Sequence, residues 1–230
     1  MLHLDRVTLS QGDFSLSANF KIPKGERLSI LGPSGAGKST LLSAIAGFLQ
    51  PTQGRIMWDG TDLDDQPPGA RPTSILFQDN NLFPHLTVAQ NVGLGVRSSL
   101  RLSPQDKEQV RDALHRVELG DFADRKPAAL SGGQQSRVAL ARVLVQSKPI
   151  ILLDEPFAAL GPSLKAEMLD LVLQLSDALE STVMMVTHDP DDAIRMHGKS
   201  IFVADNLAHT PIETNLLFTD PPDALRNYLK

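Results

Sequence analysis

Residues Gly32-Pro33-Ser34-Gly35-Ala36-Gly37-Lys38-Ser39-Thr40 fit the pattern G-x-x-x-x-G-K-[ST], whose residue types suit the gripping of a polyphosphate. Glycines let backbone N–H groups converge on phosphate oxygens, and the start of a following helix adds partial positive charge. Lys38 would bring a full charge to the β- and γ-phosphates, and the Ser39 hydroxyl could ligate Mg²⁺. By itself the pattern says only that a nucleotide is bound. A GTPase would also carry a guanine-reading Asn/Thr-Lys-x-Asp, which is absent here. A small-molecule kinase fits the loop but leaves the remaining motifs without a purpose.

Asp154 and Glu155 follow an apolar run and precede Pro156. In an open α/β sheet, ligands sit beyond the carboxyl ends of the strands, so this pair belongs beside the phosphate loop. Adjacent carboxylates at a strand end point in different directions. Asp154 is therefore free to support Mg²⁺ while Glu155 faces an attacking water as base or water-positioning group. A third stretch, Leu130-Ser131-Gly132-Gly133-Gln134, combines a capping box (Ser131 with Gln134) with two glycines at a helix start. It reads either as a well-capped helix or as a second anion site.

The elements that must position these residues alternate. Strands are expected over 2–8, 14–20, 27–31 and 55–58, with a turn at Pro23-Lys24-Gly25 and a helix from Lys38 to Gly47. Ser103 caps and Pro104 opens a helix that should run to about Leu119, with Gly120 as its stop, and another helix starts at Ser131. Residues 83–102 are mixed. Ile150-Ile151-Leu152-Leu153 and Val183-Met184-Met185-Val186 are continuous apolar runs, as in strands buried on both faces of a parallel sheet. Between them Leu164, Met168, Leu171, Leu175 and Leu179 form a helical stripe expected to pack on the core. Strand–helix–strand alternation predicts a doubly wound α/β core, with a helical insertion at roughly 79–145, in one domain.

Together these motifs resemble the ABC ATPases, whose signature is matched by Leu130 to Gln134. The phosphate loop, Gln78, Asp154-Glu155 and His188 fall in that family's order. The resemblance implies an α/β P-loop NTPase fold over 1–230. It comprises a mostly parallel RecA-like core (about 1–78 and 146–230), an N-terminal antiparallel β subdomain and an inserted α-helical subdomain (about 79–145). It further implies that Gln78 contacts Mg²⁺ and water near the γ-phosphate and that His188 contacts the γ-phosphate. In a head-to-tail homodimer, Ser131, Gly132, Gly133 and Gln134 would close over the Mg·ATP held by the other protomer's loop. Two tracts, Pro67-Pro68 with Arg71-Pro72 and Leu76 to Asn91, resemble the ATP-binding subunits of bacterial thiamine importers. That implies a multi-spanning permease partner, an indirect link to a periplasmic solute-binding protein, and a peripheral position on the cytoplasmic face of the inner membrane. Importers of iron, polyamines or sulfate share much of this pattern, and a soluble non-transport ABC ATPase is a more distant alternative.

Three positions depart from the family. Gly161 stands where an Asp usually crosses the dimer interface, and Gln135-Ser136 stand where a basic residue is usual. The aromatic that stacks on adenine is not obvious: the aligned loop offers Gln11 with Phe14 nearby, and Phe14 has an equal claim to be a core strand residue.

With 22 Lys+Arg against 27 Asp+Glu the chain is mildly acidic, which disfavours nucleic-acid binding. It has no Cys, which removes disulfides, thiolate metal sites and Cys nucleophiles. The N-terminus lacks a signal-peptide pattern, no apolar run approaches the ~18–20 residues of a membrane span, and the tail after Asn206 is expected to hold no regulatory domain.

Overall fold

The computed structural model describes residues 1–219, 221–222 and 225–226. Its centre is a set of parallel strands: β3 (Arg27–Leu31), β6 (Thr73–Leu76), β7 (Ile150–Asp154), β8 (Thr182–Val186) and β9 (Lys199–Ala204), in the order β9-β3-β8-β7-β6. The apolar runs are buried on both faces, as their composition requires. Ile150 and Leu152 face one core with Met184 and Val186, whereas Ile151 and Leu153 face a second core with Val183 and Met185.

Antiparallel strands extend this sheet: β1 (Leu2–Gln11), β2 (Phe14–Ile22), β4 (Gln53–Trp58) and β5 (Thr61–Asp62). The two-residue β10 (Leu207–Ala208) joins the halves, pairing parallel to β2 and antiparallel to β9. A short β11 (Ile212–Glu213) pairs with β9 off the main path, and α7 (Thr214–Thr219) follows it. Both strands β1 and β2 run past their expected ends: β1 because the hairpin pairing continues to Gln11 opposite Phe14, and β2 because Lys21 and Ile22 still pair with His3 and Leu2.

The first core lies between the sheet and α1 (Lys38–Ala46), through Leu41, Leu42 and Ile45. Arg71, wholly buried, fixes the far end of α1 by donating to the carbonyls of Ala44 (2.7 Å) and Ile45 (3.1 Å). It thereby satisfies acceptors that a helix end otherwise leaves orphaned. The second core is roofed by α5 (Pro162–Ala178) and by three helices between β6 and β7: α2 (Val88–Val96), α3 (Pro104–Arg116) and α4 (Gly132–Leu144).

Two expectations are corrected here. Helix α3 ends at Arg116, three residues before Leu119. Glu118 adopts φ 59°, and the Leu119 amide closes on Leu114 O at 2.8 Å. Val110, Ala113, Leu114 and Val117 already complete the buried face, so the chain must break the helix to bring Leu119 inward. Gly120 therefore opens a 3₁₀ turn, Gly120–Phe122, instead of stopping α3. On α5 the expected stripe does pack on this core, with Met168 and Leu175 buried and Leu164, Leu171 and Leu179 partly buried against it; Leu169, Val172 and Ser176 are buried beside it. Helix α2, unassigned from sequence, is announced by a capping box of Thr87 with Gln90.

Candidate active site

Three strand ends converge at one edge of the parallel sheet. After β3 the phosphate loop turns back into α1, and two glycines are needed for space. A Cβ on Gly32 would meet Val203 O at 2.1 Å, and one on Gly37 would meet Phe14 Cζ at 2.5 Å. Both also have positive φ, of 148° and 101°. No side chain caps α1, which leaves its first N–H groups for an anion. Ala36 N closes the turn on Pro33 O at 3.2 Å. Lys38 Nζ folds back onto Gly32 O (2.7 Å) and Pro33 O (2.9 Å). Burial pulls its pKa below the ordinary lysine value, and the nearby Glu155 and Asp154 charges oppose that.

β7 delivers the carboxylates. Ser39 Oγ donates to Asp154 Oδ1 at 2.9 Å, so a hydroxyl and a carboxylate from two elements share one point. Burial raises the Asp154 pKa, Ser39's hydrogen bond lowers it, and the Glu155 charge raises it again. A negative charge held out of water beside a second hard oxygen fits Mg²⁺, which takes one or two protein oxygens and completes its shell with phosphate and water. Among the described residues no group of three or more His, Cys, Asp or Glu could hold a metal without such help.

Glu155 sits in the left-handed region at φ 45°, a conformation an L-residue holds only when its surroundings impose it. Its N–H is held by Val186 O at 3.1 Å, across the β7–β8 register that sets Asp154 opposite Val186. The twist aims its carboxylate at His188, whose Nδ1 lies 3.2 Å from Glu155 Oε2. The turn carrying His188 is itself braced. Thr187 Oγ1 donates to Asp192 Oδ2 (2.7 Å) and accepts from Asp189 N (3.0 Å), and Lys165 of α5 pairs with both Asp189 and Asp192. Asp192 is buried on α6 (Pro190–Arg195).

A cleft of about 600 Å³ joins these pieces, lined by Gln11, Phe14, Gly32, Ser34, Gly35, Gly37, Lys38, Ser39, Thr40, Glu155 and His188. Phe14, which the sequence left between core and site, does both: its ring packs on Gly37 and lines the cleft. Ser131 to Gln134 lie outside this cleft. The reciprocal capping box is formed, with Ser131 Oγ accepting from Gln134 N (3.3 Å) and Gln134 Oε1 accepting from Ser131 N (3.0 Å). Ser131 and Gly132 are exposed, presenting a helix N-terminus to the surroundings.

The model of the family described as ABC transporter matches residues 16–158, well over half of the chain. The chain belongs to the ABC transporter family. Curated relatives of this ABC cassette include the "Thiamine import ATP-binding protein ThiQ" of Cereibacter sphaeroides, 57% identical over 100% of this chain and 99% of that one. The protein of that name from Ruegeria sp. is 53% identical over 100% and 99%, and that from Brucella suis 47% over 99% and 95%. Among solved structures, a dimeric post-hydrolysis state of an ATP-binding cassette bound to ADP and Pi superposes with a TM-score of 0.79. Its identity is 33%, over 93% of this chain and 99% of that one.

Within the cassette, Gln78 is exposed two residues beyond β6 and is not among the cleft-lining residues. The departures from the family pattern acquire local explanations. Gly161 is the N-cap of α5 with no side-chain cap, and nothing lies within 4 Å of where its Cβ would be. Gln135 Nε2 donates to Pro127 O (3.1 Å) and Leu130 O (3.3 Å), tying the approach to the helix start. Ser136 is buried, which a basic residue at that position could not be without a partner.

Proposed function

We propose that this chain is the ATP-hydrolysing subunit of a bacterial thiamine importer, working as a homodimer on the cytoplasmic face of the inner membrane. The observation that carries the catalytic part is the meeting of three strand ends at one cleft: Lys38 and Ser39 after β3, Glu155 after β7 with Asp154 at its end bonded to Ser39, and His188 after β8. Full-length likeness to thiamine-import ATP-binding proteins supports the solute and the permease partner. Thiamine itself would be bound elsewhere in the importer.

In this reading residues Gly32 to Thr40 bind the triphosphate through backbone N–H groups, and Lys38 leaves its carbonyl partners for the β- and γ-phosphates. Ser39 and Asp154, with Gln78 brought in from its exposed position, would hold Mg²⁺, which would supply charge neutralisation on the phosphates. Glu155 accepts a hydrogen bond from the attacking water and aligns it, and His188 orients that carboxylate and donates toward the γ-phosphate. Products are ADP, phosphate and a proton. The exposed start of α4 meets the nucleotide of a second copy, where Ser131, Gly132, Gly133 and Gln134 complete the anion site, as the dimeric state of the similar cassette supports. No helix among the described residues is long and apolar enough to cross a membrane; in this reading a separate permease carries the solute, as the likeness to import ATP-binding proteins supports.

The test pairs uptake with turnover. Cells lacking the chain should lose thiamine uptake and regain it with the wild-type protein but not with Glu155→Gln. The purified Glu155→Gln protein should bind ATP, turn over about 10²-fold or more slowly, and accumulate as a nucleotide-bound dimer. Normal uptake in the deletion strain would remove the solute assignment, and normal turnover in the variant would remove the base.

A further inference from the structure

Arg142 lies in the last turn of α4, and its guanidinium is spent on two consecutive backbone carbonyls. One nitrogen donates to Asn80 O at 2.6 Å and the other to Asn81 O at 2.7 Å. Those two residues follow Gln78 by two and three positions, and both are left-handed, with φ of 53° and 46°. A pair of adjacent left-handed L-residues is costly and persists only when something fixes it. Here the unusual backbone turns successive carbonyls toward one planar fork, a geometry that suits Arg and not Lys. A second tie runs from Asn80 Nδ2 to Ser136 Oγ at 3.2 Å, also on α4.

The same body continues beyond Asn81. The wholly buried Asn91 of α2 donates to Phe83 O, Leu86 O and Thr87 O and accepts from Phe83 N, which freezes the loop between Asn81 and α2. Helix α2 in turn touches α4 so closely that a Cβ on Gly95 would lie 2.4 Å from Arg142 O. Among the described residues the Arg142 guanidinium meets backbone carbonyls and no carboxylate, and burial lowers its pKa. A charge desolvated without a counter-charge adds little stability, so its geometry is the reason to keep it.

We propose that Arg142 is a positioning residue that locks the loop after Gln78 to α4, so that this loop and the Ser131–Gln134 end move as one part. Helix α4 rises ~1.5 Å per residue, so the clamp acts roughly 16 Å along the axis from Ser131. A displacement of Gln78 on nucleotide binding is thereby delivered to the helix end that meets the partner's nucleotide. This rests on the proposed role of that end in the dimer. It adds that the coupling within one chain passes through two carbonyls and one guanidinium.

The experiment uses the full chain in a Glu155→Gln background, reading ATP binding by a fluorescent analogue and dimer formation by light scattering. Arg142→Met keeps the apolar stem. It should bind ATP within about twofold of its parent but need about tenfold more ATP to dimerise, and in an otherwise wild-type chain it should lower kcat with little change in KM. Asn80→Gly, which accepts the left-handed backbone and removes only the Ser136 bond, should shift dimerisation the same way by a smaller factor. Arg142→Lys, with one ammonium in place of the fork, should not restore the parent's behaviour. Unchanged ATP dependence of dimerisation in both Arg142→Met and Asn80→Gly would overturn the clamp. Failure of the Glu155→Gln parent to dimerise at all would instead overturn the dimer reading on which it rests.

Discussion

His188 Nδ1 and Glu155 Oε2 stand 3.2 Å apart, although 33 residues separate them in the chain. Glu155 reaches this position through a left-handed backbone, and His188 through a turn braced by Thr187, Asp189, Asp192 and Lys165. Two neighbouring parallel strands thus deliver a carboxylate and an imidazole to one side of the phosphate cleft. Neither strand could do so alone, since each ends in a single polar turn.

From that pairing, His188→Ala should leave the Glu155 carboxylate less well aimed. ATP affinity should stay near the wild-type value while kcat falls about 10²-fold, within the range for a lost acid–base or positioning group. Steady-state turnover with a parallel binding titration checks it. A fall in affinity with unchanged kcat would place His188 in binding alone.

Asp154 makes a prediction about pH and metal. Burial holds its pKa above the usual carboxylate value, so the folded state keeps this proton longer than the unfolded chain. The stability it contributes is present below the unfolded value and is lost as pH rises through the folded one, where the buried carboxylate becomes charged. Asp154→Asn should therefore raise the Tm of the nucleotide-free protein at pH 7 and narrow that gain on acidification. It should also weaken the Mg²⁺ dependence of turnover. Thermal melts across pH read the first effect, and turnover titrated with Mg²⁺ reads the second.

Gly161 caps α5 without a side chain and has open space around its Cβ position. Gly161→Asp should fold normally and add a few tenths of a kcal/mol through a new N-cap. If the missing polar contact also weakens communication between the two sites, the variant's ATPase should show a higher Hill coefficient. An unchanged coefficient alongside a raised Tm would confine this position to helix capping.

Phe14 and Gly37 are predicted to fail in different ways. Gly37→Ala places a methyl against the Phe14 ring and forbids the loop's φ of 101°, so ATP binding should be lost. Phe14→Ala removes a ring that lines the cleft while leaving the loop backbone free. KM for ATP should rise, and the ratio of ATP to GTP turnover should change if the ring meets the base. Isothermal titration and turnover with each nucleotide separate the two outcomes.

Much of this was legible in the residues because it depends on local chemistry. A Gly-rich loop before Lys38, an apolar run ending in Asp154-Glu155, and Ser131 spaced from Gln134 each state their own geometry within a few positions. The doubly buried strands followed from their unbroken apolar composition, and the capped start of α4 from its capping box. What pattern could not supply were contacts between segments distant in sequence. The early end of α3, the burial of Leu169 and Val172 beside the expected stripe of α5, and the two roles of Phe14 each depend on what lies across the core. So does the grip of Arg142 on Asn80 and Asn81, some sixty residues away. Hydrophobic period and motif spacing act over a turn or two of chain. Packing, by contrast, sums attractions from every neighbour in space, and it chooses among local conformations that the residues themselves leave nearly equal in energy.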